Sequence, residues 1–431
     1  MDKLRDKPVP YQIWGKEDIE PSAREQMERA AQLSVSQLGA LMPDAHTGYG
    51  LPIGGVLATK DAVIPYGVGV DIACRMRMTI FNVQPYILDQ KRERFRRALE
   101  ENTVFGTGGE LFSRAEHLVM DDPAWDELIL AKKLKAEAAR QLGTSGSGNH
   151  FVEFGVLKVK EEINGTGDLQ GEGSRTFGKI PPGTYLALLS HSGSRHLGFE
   201  LANYYTEIAM NIHADLPKEY RHLAWLDMYG AGAEYWIAMN LAGRYASANH
   251  AVIHQRVANA IGFDILGGIE NHHNFAWKET HQGEELIVHR KGATPAGLGV
   301  YGVIPGTMMT PGFVVRGKGK PESLNSASHG AGRRMSRQAA YKRFEWPDVQ
   351  QRLKDAGVEL LSGGLDEAPG AYKDIRKVME EQADLVEIVA EFAPRVVKMD
   401  PDKTWRRRSE AVVRDKSGSK DRRDKKDKRR G

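Results

Sequence analysis

The stretch Thr184-Tyr185-Leu186-Ala187-Leu188-Leu189-Ser190 runs without a break into His191-Ser192-Gly193-Ser194-Arg195. Its first part predicts a β-strand, and the polar residues that follow predict a loop at the end of that strand. Residues 285–289 and 312–315 are further strand candidates. Long glycine-bearing loops separate these strands, without a regular βαβ spacing. The sequence therefore predicts one mixed α+β domain, with β-sheets flanked by helices, rather than a doubly wound sheet.

Several segments have the composition or the apolar spacing of helices: 89–101, 124–141, 198–213, 231–260 and about 374–391. The pattern is clearest in the segment 231–260. There, apolar residues recur at spacings of three and four, which predicts one buried helix face. The residues on that face are Ile237, Leu241, Tyr245, Ala248 and Val252.

Composition separates a large body from a basic C-terminal segment. The hydrophobic content of 41% allows a large core, and a single cysteine fits a reducing compartment. The sequence has no apolar run long enough to span a membrane and no signal-peptide core. We therefore expect a cytoplasmic protein without a membrane partner. Residues 401–431 hold 14 Lys and Arg against six Asp and Glu. We therefore divide the chain into a domain at 1–400 and a disordered tail at 401–431, which either contacts nucleic-acid phosphates or only aids solubility.

Glycine-bearing polar segments follow the strand candidates, and most of them place a histidine beside small residues. They span 143–153, 191–195, 271–274, 304–307 and 328–333. Glycine lets backbone amides approach an anion closely, so such loops favour phosphate binding. The only cysteine, Cys74, lies three residues after Asp71. A lone cysteine is often a small buried side chain, but thiolate, carboxylate and imidazole together are transition-metal ligands. The combined pattern predicts a metal-and-phosphate site.

These segments, in this order, resemble the RtcB-type RNA ligase family. Met42-Pro43-Asp44-Ala45-His46-Thr47-Gly48-Tyr49-Gly50 is similar to its opening motif, and Gly69-Val70-Asp71-Ile72-Ala73-Cys74 to its metal motif. The later similar segments are 146–151, 191–195, 272–274, 290–293, 328–333, 371–375 and 396–398. The resemblance covers about residues 10–399.

The resemblance implies a GTP- and Mn²⁺-dependent ligase. Such an enzyme joins an RNA 2′,3′-cyclic phosphate or 3′-phosphate end to a 5′-hydroxyl end. Two manganese ions would share the thiolate of Cys74. Asp71 and His150 would complete one metal site, and His191 and His273 would complete the other. An archease-type activator is a further partner that the family suggests.

The resemblance also implies roles for residues around a bound nucleotide. His329 would attack the GTP α-phosphate and form a guanylyl-histidine. Glu153 would accept hydrogen bonds from guanine, Tyr372 would stack on the base, and Arg195 and Arg333 would bind RNA phosphates. The full set of implied GTP contacts is Asn149, His150, Phe151, Val152, Glu153, His273, Asn274, Pro305, Gly306, Thr307, Met308, Gly312, His329, Gly330, Ala331, Gly332, Tyr372 and Lys398.

The sequence departs from the family pattern at three informative positions. Arg75 stands where glycine is usual, and we expect it to bring a positive charge to the edge of the metal site. His250 stands where arginine is common, which predicts the loss of an RNA-phosphate contact. We interpret His250 and His254, four residues apart, as structural or RNA-facing rather than as metal ligands. Gly312 replaces a serine that contacts the nucleotide in some members.

Two other functions stay open at this point. One is a metal-dependent RNA phosphodiesterase that opens cyclic phosphates without ligation. The other is a non-catalytic RNA-binding factor that acts through residues 401–431. The ligase interpretation differs from both because it requires GTP as well as the metal ions.

Overall fold

The structure is a computed structural model that describes residues 3–111, 114–165, 167–168 and 173–406. Most of the segment that we predict to be disordered lies outside the described residues. Its first residues, however, pack on the body. Residues 403–406 form one helical turn, and the ring of Trp405 lies 4.8 Å from that of Trp346.

The described residues form strands and helices in a mixed order. The strands are β1 (Tyr11–Ile13), β2 (Ser36–His46), β3 (Ile53–Thr59), β4 (Ala62–Val63), β5 (Arg75–Phe81), β6 (Phe151–Val159), β7 (Ile163–Asn164), β8 (Gly167–Asp168), β9 (Ser174–Ile180), β10 (Gly183–Ser192), β11 (Leu226–Asp227), β12 (Ile265–His272), β13 (Asn274–His281), β14 (Glu284–Lys291), β15 (Ala293–Pro295), β16 (Tyr301–Ile304), β17 (Gly312–Gly317), β18 (Ser326–Ser328), β19 (Glu359–Ser362) and β20 (Val386–Met399). The helices are α1 (Pro21–Ala31), α2 (Pro65–Val68), α3 (Ile87–Gln90), α4 (Arg92–Asn102), α5 (Ala124–Glu127), α6 (Ile129–Gln141), α7 (Arg195–Ile212), α8 (Ala231–Ile261), α9 (Arg337–Arg343), α10 (Trp346–Asp355) and α11 (Ile375–Glu380).

A large, mostly antiparallel sheet forms the centre of the molecule. Its main path runs β16-β17-β20-β6-β10-β5-β12-β9-β7, with β19 and β8 paired at its sides. The sheet curls, so that β16 returns beside β12, where Asn271 accepts a 2.8 Å hydrogen bond from the amide of Val303. Apolar side chains fill the inside of the curl, and α4 and α8 cover its outer face. The predicted α+β class is therefore confirmed.

A second sheet packs beside the first. Its strand order is β1-β2-β3-β14-β13, and only the β1–β2 pair is parallel. One face packs on α1 and the other on α11. The turn between β2 and β3 and the end of β2 face the large sheet, so the two sheets enclose a common space.

Most helices lie where the apolar spacing predicts them. Residues 231–260 correspond to α8, and Leu241, Tyr245, Ala248 and Val252 are buried as predicted. Ile237, in the second turn of α8, is 38% exposed. Within the described residues, no helix is both long and apolar enough to cross a lipid bilayer.

The predicted helix at about 374–391 is wrong over its second half. Helix α11 ends at Glu380, a turn follows, and β20 begins at Val386. β20 carries β-branched residues, including Val386, Ile388 and Val389, which favour an extended backbone. Pairing with β17 on one side and β6 on the other fixes the strand.

Candidate metal centre and active-site cavity

Four neighbouring strands bring the predicted metal ligands to one edge of the large sheet. Cys74 directly precedes β5, His150 directly precedes β6, His191 is the next-to-last residue of β10, and His273 directly follows β12. These strands lie side by side in the order β6-β10-β5-β12 and are antiparallel. The starts of two strands therefore meet the ends of the other two, which explains how ligands far apart in sequence become neighbours.

The side chains form two groups that share the cysteine. The Sγ atom of Cys74 lies 3.0 Å from Nε2 of His191 and 3.4 Å from Nε2 of His150. Nε2 of His150 lies 3.0 Å from Oδ2 of Asp71, and Nε2 of His191 lies 3.3 Å from Nε2 of His273. In each group, Asp71–Cys74–His150 and Cys74–His191–His273, the ligand atoms lie within 4.8 Å of one another.

The orientation of the imidazoles fits metal binding. Nδ1 of His150 donates to the carbonyl of Ser145 over 2.8 Å, and Nδ1 of His191 donates to the carbonyl of Asn149 over 3.2 Å. These bonds hold both rings so that Nε2 points into the cluster, where a neutral ring would offer its lone pair to a cation. Burial also lowers the pKa of His191 and of His273 well below the ordinary value, which favours neutral rings. Nε2 of His191 and Nε2 of His273 face each other over 3.3 Å, and a cation between two neutral rings would stabilise this arrangement.

The acidic and thiol groups also fit a cation. Desolvation would raise the pKa of Asp71, but the hydrogen bond and the charge of His150 lower it to about 2. Burial, and then the neighbouring Asp71 carboxylate, raise the pKa of the Cys74 thiol well above its usual range. A divalent cation would favour the thiolate and offset the negative charge. The donor set therefore fits two metal ions that share Cys74.

Two glycines allow the loops to approach this cluster. A Cβ atom on Gly193 would lie 2.1 Å from Oδ1 of Asp71. A Cβ atom on Gly146 would lie 1.8 Å from Nη1 of Arg195 and 2.6 Å from Nδ1 of His150. Gly146 also has a φ of +90°, which a side chain would make unfavourable. The glycine-rich sequence is thus a steric requirement of the cluster.

His329 lies next to the cluster and is held by a buried carboxylate. Its ring centroid is 4.9 Å from that of His273. Nδ1 of His329 donates to Oδ2 of Asp44 over 2.7 Å, and the same oxygen accepts from the amides of His329 and Gly330 over 3.1 and 3.3 Å. Nε2 of His329 has no hydrogen-bond partner among the residues that the structure describes. Nδ1 is therefore held by Asp44, and Nε2 is the ring nitrogen left free beside the cavity.

The contact between Asp44 and His329 was not predicted from the sequence. The only signal is an acidic residue two positions before His46 in the opening motif, and 285 residues separate Asp44 from His329. Burial would raise the pKa of Asp44, but the charge and the hydrogen bond of His329 lower it. The carboxylate thus stays ionised at neutral pH although it is fully buried.

A cavity of about 610 Å³ opens beside His329 between the two sheets. It contains most of the residues implied to contact a nucleotide. These are Asn149, Phe151, Glu153, His273, Pro305, Gly306, Thr307, Met308, Gly312, His329, Gly330, Ala331, Gly332 and Tyr372. Glu153 is 5% exposed, and burial raises the pKa of its carboxyl group well above the usual value.

The side chains of Val152 and Lys398 do not point into the cavity, and the GTP contacts implied for these residues stay predictions. They are partners across the β6–β20 ladder, so both side chains lie on the opposite face from Phe151 and Glu153. Val152 packs in the core under α4. Nζ of Lys398 donates to the carbonyl groups of Leu99, Glu100 and Thr103 at the end of α4. Lys398 thus caps a helix.

Asn274 also lies outside the cavity lining, but it positions a metal-binding loop. Its side-chain amide donates to the carbonyl oxygen of Asp71 over 3.2 Å. Its side-chain oxygen accepts from the amide of Gly292 over 2.8 Å. Asn274 therefore connects the loop that carries Asp71 to strand β14.

The two predicted RNA-binding arginines have protein partners. Arg195 donates to the hydroxyl of Thr144 over 3.1 Å and does not line the cavity. Arg333 lines the cavity, where it lies 3.4 Å from Glu367 and its guanidinium is 5.2 Å from the ring centroid of Tyr372. Arg333 thus lies against Tyr372, and the RNA contacts of both arginines stay predictions.

Arg75 lies beside the metal site as expected, and its charge partly offsets the rise in the pKa of the Cys74 thiol, but Glu270 compensates this charge. Its side chain is buried and turns toward α8, where it donates to the carbonyl of Gly243 over 2.9 Å. It also pairs with Glu270, which lies 2.8 Å from Arg77. Burial would raise the pKa of Glu270, but the two arginines lower it to about 2. The charge of Arg75 is therefore compensated within the protein.

His250 and His254 are structural. Both are buried, and the hydroxyl of Ser190 lies 2.7 Å from Nδ1 of His250 and 2.8 Å from Nε2 of His254. Nδ1 of His254 lies 2.7 Å from the hydroxyl of Thr79. The pair connects α8 to the large sheet, so His250 makes no surface contact with RNA.

Gly312, the third departure from the family pattern, lines the cavity at the start of β17.

Comparison with known proteins agrees with this geometry. Residues 26–126 and 116–400 match the family described as tRNA-splicing ligase RtcB. The "RNA-splicing ligase RtcB" of Escherichia coli K12 is 33% identical over 88% of this chain and 95% of its own length. The "RNA-splicing ligase RtcB homolog 1" of Entamoeba dispar is 30% identical over 88% and 82%. The "tRNA-splicing ligase RtcB" of Thermococcus kodakarensis is 29% identical over 85% and 89%. The chain belongs to the RtcB family.

Proposed function

We propose that this protein is a GTP- and Mn²⁺-dependent RNA ligase. It joins RNA ends that carry a 2′,3′-cyclic phosphate or 3′-phosphate to ends that carry a 5′-hydroxyl. The observation that carries the proposal is the position of the Asp44–His329 pair beside the two-group cluster around Cys74, in one cavity. The names of the relatives, which describe RNA-splicing ligases, support the same activity.

His329 is the nucleophile in this proposal. Asp44 holds the proton on Nδ1, so Nε2 carries the lone pair that attacks the α-phosphorus of GTP. The bond from Nε2 to phosphorus forms as the bond to pyrophosphate breaks, which leaves a guanylyl-histidine. The Asp44 carboxylate stabilises the positive charge that develops on the imidazole.

The metal ions would be held by Asp71, Cys74 and His150 at one site and by Cys74, His191 and His273 at the other. When bound, they would polarise phosphoryl oxygens and balance negative charge on entering and leaving groups. Thiolate and imidazole alone would also suit zinc, so manganese rests on the family resemblance.

The cavity walls support selection of guanine. Glu153 is buried and has no cationic partner among the described side chains, so its carboxylate would gain hydrogen bonds from guanine N1–H and the exocyclic amine. Adenine presents an acceptor at N1 and would leave this carboxylate unpaired, which is costly in a buried site. Glu153 therefore favours GTP over ATP.

The later steps move the guanylate to RNA. The RNA 3′-phosphate takes the guanylate from His329, and the 5′-hydroxyl then displaces GMP as the phosphodiester bond forms. A cyclic phosphate is first opened by hydrolysis. As the resemblance suggests, we expect an archease-type protein to act as an activator.

Labelling with [α-³²P]GTP and Mn²⁺ tests the first step. Wild type should retain covalent label after denaturation, and His329→Ala should lose it. His196→Ala, at a partly exposed histidine on α7, is the matched control and should label normally. Equal labelling of wild type and His329→Ala would contradict the proposal.

A second assay separates ligation from cyclic-phosphate opening alone. An end-labelled RNA with a 2′,3′-cyclic phosphate and a 5′-hydroxyl should give longer or circular products only when GTP is present. Opening of the cyclic phosphate without any longer product would instead indicate a phosphodiesterase. RNA binding that is unaffected by Cys74→Ala and lost on deletion of 407–431 would indicate a binding factor.

A further inference from the structure

Tyr49 is a large, exposed aromatic residue at the edge of the cavity that guanylation does not use. It lies in the turn between β2 and β3, lines the cavity and is 66% exposed. Its ring makes an edge contact with Tyr66, with centroids 6.4 Å apart at 87°, and lies 5.5 Å from the ring of His222. An open aromatic surface thus borders the space beside His329.

The protein holds in place the turn that carries this aromatic ring. Nζ of Lys291 donates to the carbonyl oxygen of Tyr49 and lies 4.8 Å from the ring centroid of Tyr66. The next residue, Gly50, has a φ of +67°, and a Cβ atom there would lie 2.6 Å from the carbonyl oxygen of His222. Because the turn is already ordered, a ligand that stacks on Tyr49 loses little free energy to ordering it.

Tyr49 lies on the opposite side of the cavity from the proposed guanine pocket. Phe151 and Glu153 belong to the large sheet, whereas Tyr49 lies in the turn between two strands of the small sheet. His329 lines the same cavity and is hydrogen-bonded to Asp44, near the end of β2 in the small sheet. In an in-line displacement at phosphorus, the entering oxygen approaches opposite the leaving group. If GMP leaves toward the large sheet, the 5′-hydroxyl enters from the side of the small sheet.

We propose that Tyr49 is the stacking platform for the base of the RNA nucleoside that carries the 5′-hydroxyl. This assignment rests on the proposed ligase function and adds the site for its second RNA strand. Nucleobases stack on tyrosine with little sequence preference, which suits an enzyme that joins different RNA ends. Lys291 is 7% exposed, so it supports the platform and does not itself contact the RNA backbone.

Strand-specific binding and joining test the platform. A fluorescent 5′-hydroxyl RNA strand is titrated against wild type, Tyr49→Ala and Tyr49→Phe. The rate at which two strands are joined is then measured while the concentration of each strand is varied. Tyr49→Ala should weaken binding of the 5′-hydroxyl strand about tenfold, the loss expected for one base stack. The half-saturating concentration of the 3′-phosphate strand and the GTP labelling of His329 should not change. Tyr49→Phe should behave as wild type.

Two controls make the result specific. Tyr86→Ala removes another exposed tyrosine, 61% exposed and away from the cavity, and should bind RNA normally. A 5′-hydroxyl strand whose first nucleoside is abasic should bind wild type as weakly as it binds Tyr49→Ala. Any of three results would overturn the assignment. Tyr49→Ala could bind both RNA strands equally less tightly, or it could bind the 5′-hydroxyl strand with unchanged affinity. It could also bind the abasic strand more weakly than wild type does. A wild type that binds RNA but takes no label from GTP would refute the ligase proposal alone, because the binding titration does not depend on guanylation.

Discussion

Replacing Asp44 with asparagine is expected to slow guanylation of His329 while leaving the metal cluster intact. The substitution keeps the shape of the side chain but removes its charge. In the wild type, Oδ2 accepts from Nδ1 of His329 over 2.7 Å and from the amides of His329 and Gly330. The asparagine can turn its amide nitrogen toward the ring, which would favour the wrong tautomer and place the proton on Nε2.

The size of the effect follows from the burial and the charge of this hydrogen bond. Asp44 is fully buried, so water cannot replace the lost acceptor. A hydrogen bond to a charged group contributes about 1.5–3 kcal/mol. If that contribution is lost in the transition state, the rate falls by about 10- to 150-fold, since roughly 1.4 kcal/mol corresponds to a factor of ten.

Single-turnover labelling with [α-³²P]GTP measures this rate, and the manganese content of the purified variant is measured beside it. Asp89→Asn, at an exposed carboxylate on α3, is the matched control and should label at the wild-type rate. Asp44→Asn with a rate within about threefold of wild type would refute the role of the carboxylate. A parallel loss of bound manganese would show that Asp44 acts through the cluster instead.

Four further substitutions test the rest of the site and its support. Cys74→Ala should reduce metal binding at both positions, whereas Asp71→Ala should reduce it at one, and metal analysis after dialysis measures the ratio. Glu153→Gln should reduce the preference for GTP over ATP in the labelling assay. Because burial raises the pKa of Glu153, its contribution to stability is present below its usual pKa of 4.5 and is lost as the pH rises. Above about pH 5, the unfolding temperature of Glu153→Gln should therefore rise relative to that of wild type. Glu270→Ala should lower the free energy of unfolding by about 3–5 kcal/mol in urea titrations, because Arg75 is left buried without its partner; an unchanged midpoint would contradict this.

Much of the fold and of the cluster could be predicted from local sequence. The strand before His191 and the helix at 231–260 follow directly from apolar spacing, and both are present. Thiol, carboxylate and imidazole beside glycines indicate a metal-and-phosphate site, and the family resemblance implies which residues are its ligands. Their meeting at one edge depends on strand order, which no local pattern contains.

The features that the sequence did not predict have physical causes that lie outside the local sequence. The direction of Lys398 and Val152 is set by the alternation along β20 and β6, so a shift of one residue reverses the face. The charge of Arg75 is compensated by Glu270, which is far away in sequence. The contact between Asp44 and His329 joins the end of β2 to the residue that follows β18. Each depends on tertiary packing, which alignment to a motif does not reveal.

The position of β20 has a consequence for synthesis on the ribosome. This last strand of the described chain lies inside the large sheet, between β17 and β6, rather than at an edge. Until it emerges, the facing edges of β17 and β6 lack their partner and are open to incorrect pairing. Val397 and Met399 of this strand also line the cavity. A nascent chain therefore cannot complete this cavity before β20 is made, so we expect chains that end before β20 to lack ligase activity.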